Sequence, residues 1–274
     1  MKRILVPCDF SAPAQEAFRF AVRIAQQSNG EIHVLHILDI TYLRGETSLA
    51  DSYTFNVNFI KEMEEEAEEK FNSMREKYAP LTLAVKYKHR VGSLVQDIEN
   101  YVMAENMDLI IMGTHGTNRE SWGSNTEKVV RNAIVPVMAV RNAEEKEIKN
   151  IVCPLVPDHQ QQAFAEQIKR LQEFFGSKLH LLWVNTPKTF KTDREAHADF
   201  EAYAKTFSLN NYSVNIRSAY NVEEGIIQFA TEIEADLIAM GTHARKGLSR
   251  MVMGSIAEDT LNHTNFPMWT YTLK

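Results

Sequence analysis

An internal duplication is the feature that most constrains the fold of this chain. Residues 108–115 read Asp-Leu-Ile-Ile-Met-Gly-Thr-His, and residues 236–243 read Asp-Leu-Ile-Ala-Met-Gly-Thr-His. A Gly-Ser pair follows each copy, at 123–124 and 254–255, and then a helical pattern and an apolar strand with a proline. A repeat on this scale predicts two units of the same architecture in one chain.

The composition is that of a soluble globular protein. The chain has 274 residues, enough for two domains that each bury a core. Hydrophobic residues make up 44% and charged residues 24%. No stretch approaches the ~18 consecutive apolar residues of a membrane span. The first strand begins too early for a secretory signal. We therefore expect a cytoplasmic protein that does not bind membranes.

Net charge and cysteine content exclude further classes of protein. The formal net charge is −6, which disfavours a nucleic-acid binder, since such a protein needs a basic face. One local anion site built from backbone amides stays compatible with this charge. Cys8 and Cys153 lie just after the first strand of each copy, and their spacing does not resemble a metal site. We expect structural roles for both, in separate cores.

Apolar runs alternate with amphipathic segments throughout the first copy. Ser11 is expected to cap the first helix and Gly30 to close it. The irregular stretch 42–58 is either an ordinary connection or a functional lid. His33 lies on the second strand, where a core or interface position is favoured. Strands are expected at 4–6, 32–37, 81–87, 109–112 and 135–140, and further helices at 59–78, 94–104 and 124–132.

The second copy repeats this alternation from residue 150. It has a strand at its start, a helix over 160–175 closed by Gly176, and strands at 179–184, 237–240 and 266–272. This pattern predicts an α/β protein with two doubly wound, mostly parallel five-stranded sheets. The expected domains are 1–141 and 148–274. Pro136 and Pro267 favour edge positions for the last strand of each copy. If those edges pair, the chain is a covalent pseudo-dimer.

The glycine-rich turns lie where an open parallel sheet binds ligands. Gly113 and Gly241 follow buried strands, and glycine lets the backbone approach a ligand closely. The helix that follows offers free amides and the positive end of its dipole, and the hydroxyl of Ser124 or Ser255 could donate to a phosphate oxygen. Both serines also fit the S-x-x-E capping box, which needs no ligand. Neither GxxxxGK[ST] nor GxGxxG is present.

The whole chain resembles a tandem member of the universal stress protein family. The resemblance rests on the Pro-x-Asp turn after the first strand and on the MGTH…GS…PV pattern. It implies a five-stranded parallel fold like that of the adenine nucleotide alpha hydrolases. The family's ATP-binding branch carries a loop of the form G-x2-G-x9-G-[ST] and an Asp near the ribose. The resemblance therefore implies an ATP or other adenine-nucleotide site, with Mg²⁺ accompanying ATP.

The first copy matches part of that pattern. It keeps Asp9, Gly113, Gly116 and the Gly-Ser pair at 123–124. However, only six residues, 117–122, separate Gly116 from Gly123. The loop is therefore three residues short and is expected to reach less far around a triphosphate.

The second copy keeps the loop length instead. Nine residues, 245–253, precede Gly254 and Ser255, while Ala244 replaces the second glycine and Val156 stands at the Asp position. We expect the second copy to be the better nucleotide site. Other candidates there are Val184, at the end of the second strand, and Thr242, His243 and Arg245, beside Gly241. Both residues have an alternative interpretation without a ligand. His243 is then a packed loop residue, and Arg245 is a solvated one.

No dedicated catalytic pattern is present. G-x-S-x-G and HExxH are absent, so any ATP hydrolysis is expected to be slow. The predicted function is a stress-response protein with a regulatory adenine nucleotide. The alternatives are an interaction module that binds no nucleotide and, third, a slow ATPase. Protein partners and a homodimer are compatible with each alternative.

Overall fold

The computed structural model describes residues 1–39, 52–114, 124–141, 146–158, 160–243, 256–257, 259–261 and 263–273. Within these ranges the chain forms two compact units. The first unit contains residues 1–129 and 140–141 as far as they are described, and the second contains 130–139 and the described residues from 146 onward. None of the described helices combines the length and the apolar character needed to cross a bilayer.

The first unit is an α/β layer structure with a parallel sheet. Its strands follow the spatial order β3-β2-β1-β4, and the pairings among their described residues are parallel. The elements in chain order are β1 Arg3–Pro7, α1 Ala12–Ser28, β2 Glu31–Asp39, α2 Ser52–Tyr78, β3 Ala84–Gly92, α3 Leu94–Glu105, β4 Leu109–Gly113 and α4 Ser124–Asn132, whose last turn belongs to the second unit.

The second unit repeats this architecture with two additional strands. The order is β5-β10-β9-β6-β7-β8, and all pairings are parallel except the antiparallel pairing of β5 with β10. The elements are β5 Val137–Val140, β6 Asn150–Pro154, α5 Gln162–Phe175, β7 Lys178–Asn185, α6 Asp193–Phe207, β8 Tyr212–Ser218, α7 Val222–Glu232, β9 Leu237–His243 and β10 Met268–Leu273. The predicted α/β class with a mainly parallel sheet is confirmed.

Fully buried strands form the centre of each unit. Ile4, Leu5 and Val6 of β1 are 0% exposed, as is Ile151 of β6. Such continuous apolar runs are typical of parallel strands that helices cover on both faces. Cys8 and Cys153 are buried and free, in the core positions predicted for them.

The end of α1 corrects one sequence prediction. Ser11 caps the helix as expected, because its side chain accepts a hydrogen bond from the amide of Ala14 at 3.4 Å. The left-handed residue that closes the helix is Asn29, with φ 48°, and not Gly30. Gly30 is needed for another reason, since a Cβ there would lie 2.4 Å from the carbonyl oxygen of Lys2.

The duplicated aspartate has the same structural role in both units. Oδ2 of Asp108 accepts hydrogen bonds from the amides of Lys2 at 2.7 Å and Arg3 at 3.0 Å. Oδ2 of Asp236 accepts from the amides of Lys149 and Asn150, both at 2.9 Å. Each carboxylate therefore fixes the start of one central strand against the start of its neighbour.

The two proline-bearing strands pair with each other, as the sequence analysis expected. Val137, Met138 and Ala139 lie opposite Thr270, Trp269 and Met268 in antiparallel register. Both strands begin just after their proline, at Val137 and Met268, rather than at 135 and 266. Proline has no N–H to donate to a ladder, so the strand starts behind it.

Three other element boundaries were predicted wrongly. Helix α2 begins at Ser52, so part of the stretch 42–58 is helical, and residues 40–51 lie outside the described residues. Strand β3 covers Ala84–Gly92 instead of 81–87, because the Leu83 amide donates to the Pro80 carbonyl in a turn at 3.0 Å. Strand β9 continues to His243, since it pairs with β10 along its whole second half.

Candidate functional site

A cavity of about 140 Å³ opens in the first unit at the carboxyl ends of β1 and β4. This is the place where an open parallel sheet is expected to hold a ligand. The described residues alone enclose less than the roughly 300 Å³ at which small-molecule sites begin, so they account for part of such a site. The lining comprises Pro7, Cys8, Asp9, Ser11, Pro13, Ala14, Leu35, Ile37, Leu94, Met112, Gly113, Asn125 and Thr126.

Asp9 is the one carboxylate of this lining. Its Oδ1 accepts hydrogen bonds from the amide of Ser11 at 3.0 Å and from the hydroxyl of Ser11 at 2.6 Å. Ser11 is also the N-cap of α1, so the carboxylate is tied to a helix start. The side chain is exposed and is positioned to accept further hydrogen bonds from a ligand hydroxyl.

Gly113 permits a very close approach between β4 and α1. A Cβ at this position would lie 2.0 Å from the carbonyl oxygen of Pro13 and 2.8 Å from the amide nitrogen of Ala14. Both are backbone atoms, which cannot rotate away. Glycine is therefore required here for packing, and it also brings the backbone to the cavity wall.

The first turn of α4 forms another wall of the cavity. Thr126 donates its hydroxyl to the carbonyl of Gly113 at 3.2 Å, and Asn125 lines the cavity beside it. A helix N-terminus in this position presents free amides and a positive dipole end to an anion. Gly116 and Gly123 lie outside the described residues, as does the side chain of Ser124.

The floor of the cavity is apolar and chemically inert. Leu35 and Met112 are buried, and Ile37 is half-buried. Burial raises the pKa of the Cys8 thiol to about 12, so the thiol stays protonated near neutral pH and is a poor nucleophile. Among the described residues, no group of three or more His, Cys, Asp or Glu side chains is arranged to hold a metal ion.

The corresponding glycine of the second unit differs in what it packs against. Gly241 and Thr242 are strand residues of β9 and pair with Tyr271 and Thr272. The hydroxyl of Thr242 donates to that of Thr272 at 3.2 Å. A Cβ at Gly241 would meet the side chains of Leu273 at 3.2 Å and Phe164 at 3.5 Å. Side chains of the second unit, not a helix backbone, therefore cover this glycine.

Val156 and Val184 of the second copy lie in different surroundings. Val156 occupies the position of Asp9, two residues after the strand proline, and is 46% exposed. Val184 is buried against α7, where a Cβ at Gly225 would lie 2.5 Å from its Cγ1. Arg245, Gly254, Ser255 and the side chain of His243 lie outside the described residues.

Sequence reasoning missed several residues of the cavity. Ile37, Asn125 and Thr126 were not selected, although Ile37 and Val184 hold equivalent positions in the paired strands β1–β2 and β6–β7. That register was the available signal. His33, for which a core or interface position was predicted, is 1% exposed, and His180 at the equivalent position of β7 is 8% exposed.

Comparison with known proteins identifies the family. The model of the universal stress protein family matches residues 1–141 and 147–271. A universal stress protein of Synechocystis sp. is 24% identical over 99% of this chain and 100% of its own length. One of Methanocaldococcus jannaschii is 30% identical over 51% of this chain and 94% of its own length.

Solved structures show the same fold. The crystal structure of a universal stress protein from Archaeoglobus fulgidus aligns with a TM-score of 0.79 at 21% identity, and the alignment covers 98% of both chains. Two matches of the family model account for nearly the full sequence, one for each copy of the repeat. The chain therefore belongs to the universal stress protein family, as a tandem member with two of its domains in one polypeptide.

Proposed function

We propose that this protein binds ATP or another adenine nucleotide as a regulatory ligand in a cytoplasmic stress response. The observation that carries the proposal is the cavity of the first unit, which brings Asp9, Gly113 and the start of α4 together. Sequence reasoning had selected Asp9, Gly113 and Ser124, the first residue of α4, as nucleotide-binding positions.

The chemistry of the cavity suits the three parts of a nucleotide. The apolar side chains of Leu35, Ile37 and Met112 suit a planar base. The carboxylate of Asp9 suits ribose hydroxyls, which donate hydrogen bonds. The N-terminus of α4 suits a phosphate. Since Asp9 is the only carboxylate in the lining, a Mg²⁺ ion would rely mainly on the phosphate oxygens.

Different observations support nucleotide binding by each of the two copies. The described residues support the first copy, because its cavity has an Asp where the second copy has Val156. The loop length supports the second copy, because 245–253 keeps the full nine residues before Gly254 and Ser255. We keep the second copy as the proposed stronger phosphate site, and the test has to separate the two.

The test begins with natively purified full-length protein. Denaturation and mass spectrometry identify any released nucleotide, and calorimetric titration of the emptied protein with ATP gives the affinity. Asp9→Ala and Ser124→Ala report on the first copy, and Ser255→Ala reports on the second. Asp158→Ala is the matched control, because Asp158 accepts a hydrogen bond from the amide of Gln160 at 2.8 Å in the equivalent loop.

The expected result is an affinity loss of about tenfold for the variants of the occupied copy, since one hydrogen bond to a charged group contributes roughly 1.5–3 kcal/mol. Loss with Ser255→Ala alone would place the site in the second unit. Loss with Asp9→Ala would place it in the first. Absence of released nucleotide together with absence of ATP binding would overturn the proposal.

A second candidate function is an interaction module that binds no nucleotide. The packing of Val184 against Gly225 and the exposed Val156 favour this reading for the second copy. Such a protein would act through contacts with unidentified protein partners or as a homodimer. For the nucleotide-binding alternative we propose at most slow ATP hydrolysis.

A further inference from the structure

A second cavity lies in the second unit. It measures about 540 Å³, within the range of roughly 300–1,000 Å³ of small-molecule sites. Its walls come from the carboxyl ends of β7 and β8, from the turn after β7, and from α7. None of the described nucleotide candidates lines it, and the nearest of them in sequence is Val184, which directly precedes the lining residue Asn185.

Two exposed aromatic rings flank this cavity. Phe190 is 74% exposed and Tyr220 is 87% exposed, and both contribute to its lining. Exposed apolar surface concentrated around one cavity marks a binding site more often than scattered residues do. Aromatic faces attract flat apolar groups, and they also attract cations through the ring quadrupole.

The turn that holds Phe190 is fixed by a network of hydrogen bonds. Oδ1 of the buried Asn185 accepts from the indole of Trp183 and from the amide of Lys191, both at 2.8 Å. Its Nδ2 donates to the carbonyl of Lys191 at 3.0 Å. The amide of Thr186 donates to the carbonyl of Thr189 at 2.8 Å. This wall is pre-organised, which reduces the entropy cost of binding.

The described residues of the lining carry one negative charge. Glu224, in the first turn of α7, is the only charged residue among them, and its Oε1 accepts a hydrogen bond from Gln228 at 3.0 Å. The two lysines of the nearby turn do not line the cavity. Lys191 pairs with Asp199 and lies 4.6 Å from the centroid of the Trp183 ring, and Lys188 is exposed. The Glu224 carboxylate therefore favours a cation over an anion beside it.

The first unit has a different structure at the equivalent turn. From the equivalent strand residues Arg90 and Arg217, the N-cap residue is three positions away in the first copy, at Ser93, and four in the second, at Asn221. In the first unit Asp97 closes over Gly92, with its Oδ2 2.1 Å from the position of a Cβ there. Arg90 binds the same carboxylate at 3.3 Å. The connection of the second copy is thus one residue longer, and its Tyr220 supplies one aromatic wall.

We propose that this cavity of the second unit binds a small organic cation with a flat apolar body, such as an aromatic amidine or amine. The apolar body lies between Phe190 and Tyr220, and the cationic group faces Glu224. None of the described nucleotide candidates lines this cavity. The rings, the pre-organised turn and the single carboxylate define the ligand class.

The probe for this site is benzamidinium, titrated into the full-length protein at low ionic strength and followed by calorimetry and ligand-observed NMR. Benzyl alcohol and benzoate are the neutral and anionic comparisons, and the peptide Gly-Arg-Gly tests a protein side chain as the ligand. The variants are Glu224→Gln, Tyr220→Ala and Phe190→Ala. Glu232→Gln is the matched control, because Glu232 lies on the same helix and pairs with Arg217 outside the cavity.

The expected result is a Kd for benzamidinium below about 1 mM, with benzoate binding at least about tenfold more weakly. Glu224→Gln should weaken benzamidinium about tenfold, Tyr220→Ala and Phe190→Ala each about fivefold, and Glu232→Gln not at all. ATP affinity should not change in any of these variants, which separates this test from that of the nucleotide site.

Three results would overturn the proposal. Equal binding of benzyl alcohol or benzoate would show that charge does not select the ligand. Unchanged binding in Glu224→Gln and Tyr220→Ala would place the probe elsewhere. Binding of the arginine peptide without binding of benzamidinium would assign the surface to a protein partner.

Discussion

The two copies of the repeat agree in their framework and differ at their ligand-facing positions. Asp108 and Asp236 make the same pair of hydrogen bonds to the start of a central strand. In contrast, Asp9 of the first cavity corresponds to Val156, and Gly113 packs on a helix backbone while Gly241 meets side chains. The repeated segment therefore reports the fold reliably, and it does not by itself report a duplicated site.

The physical reason lies in what each position contacts. A strand start needs its amides satisfied whatever the protein binds, so the aspartate is needed in both copies. A residue at the carboxyl end of a strand touches ligand or solvent, and its replacement leaves the core intact. Four predictions test this division between framework and site.

The largest expected effect is on the two equivalent glycines. Gly113→Ala should lower the free energy of unfolding by about 3 kcal/mol, because the new methyl group meets the backbone of Pro13. Gly241→Ala should cost less than about 1.5 kcal/mol, because the side chain of Leu273 can move. Urea unfolding followed by circular dichroism measures both. Equal losses would show that the packing of the two strand ends does not differ.

The duplicated aspartates give the next prediction. Asp236→Ala should destabilise the protein by about 3 kcal/mol, because the buried carboxylate serves two amides and contacts Lys146 at 2.6 Å. Asp108→Ala should cost about 1–2 kcal/mol, since this carboxylate is exposed. The midpoints of urea unfolding give the ranking, and a reversed order would contradict the role of burial.

The third prediction exchanges the site residue between the copies. Val156→Asp should strengthen adenine-nucleotide binding by the second copy by about tenfold, because it restores a hydrogen-bond acceptor at a partly exposed position. Val156→Asn, which adds polarity without charge, is the control. Calorimetric titration with ATP in the Asp9→Ala background measures the second copy. Unchanged affinity would mean that the site lacks more than this carboxylate.

The smallest effect concerns the equivalent histidines. Burial lowers the pKa of His180, so the folded state takes up its proton less readily than the unfolded chain. Stability from this group is full above the ordinary histidine pKa of about 6.5 and is lost as the pH falls. His180→Gln should therefore flatten the decline in unfolding free energy between about pH 7.5 and 5.5. Parallel curves for the two proteins would rule this contribution out.

The environment of the first copy's histidine differs. Nε2 of His33 lies 3.1 Å from the carboxylate of Glu31, and its Nδ1 lies 3.0 Å from the hydroxyl of Tyr101. His180 instead contacts Asn150 at 3.2 Å and Ser213 at 3.1 Å. His33→Gln serves as the comparison in the same pH series, because it replaces the equivalent histidine, which lies beside the carboxylate of Glu31.

Local signals in the sequence predicted most of the fold. The apolar runs of β1 and β6, the cap at Ser11 and the left-handed Gly176 follow from residue type and spacing alone, and all are present. The extension of β9 was not predictable in this way. It depends on pairing with β10, which lies about thirty residues further along the chain.

The candidate site was predictable only in part. Asp9 and Gly113 came from the motif, and the cavity contains both. The burial of Val184 depends on Gly225 of a distant helix, and the role of Thr126 depends on the carbonyl of Gly113. The cavity beside Tyr220 depends on a connection that is one residue longer than in the first copy, and its effect appears only when β7 and β8 are adjacent. Side-chain environments of this kind are set by contacts between segments.

The assignment of Val130–Ala139 to the second unit has a practical consequence for dissecting the protein. A fragment that begins after the linker would lack β5, and the backbone of Met268, Trp269 and Thr270 would lose its antiparallel partner. Unpaired strand edges recruit other chains. Each half of a protein cut at the repeat boundary should therefore self-associate when it is expressed alone. When the two halves are expressed together, they should reassemble by pairing β5 of one half with β10 of the other.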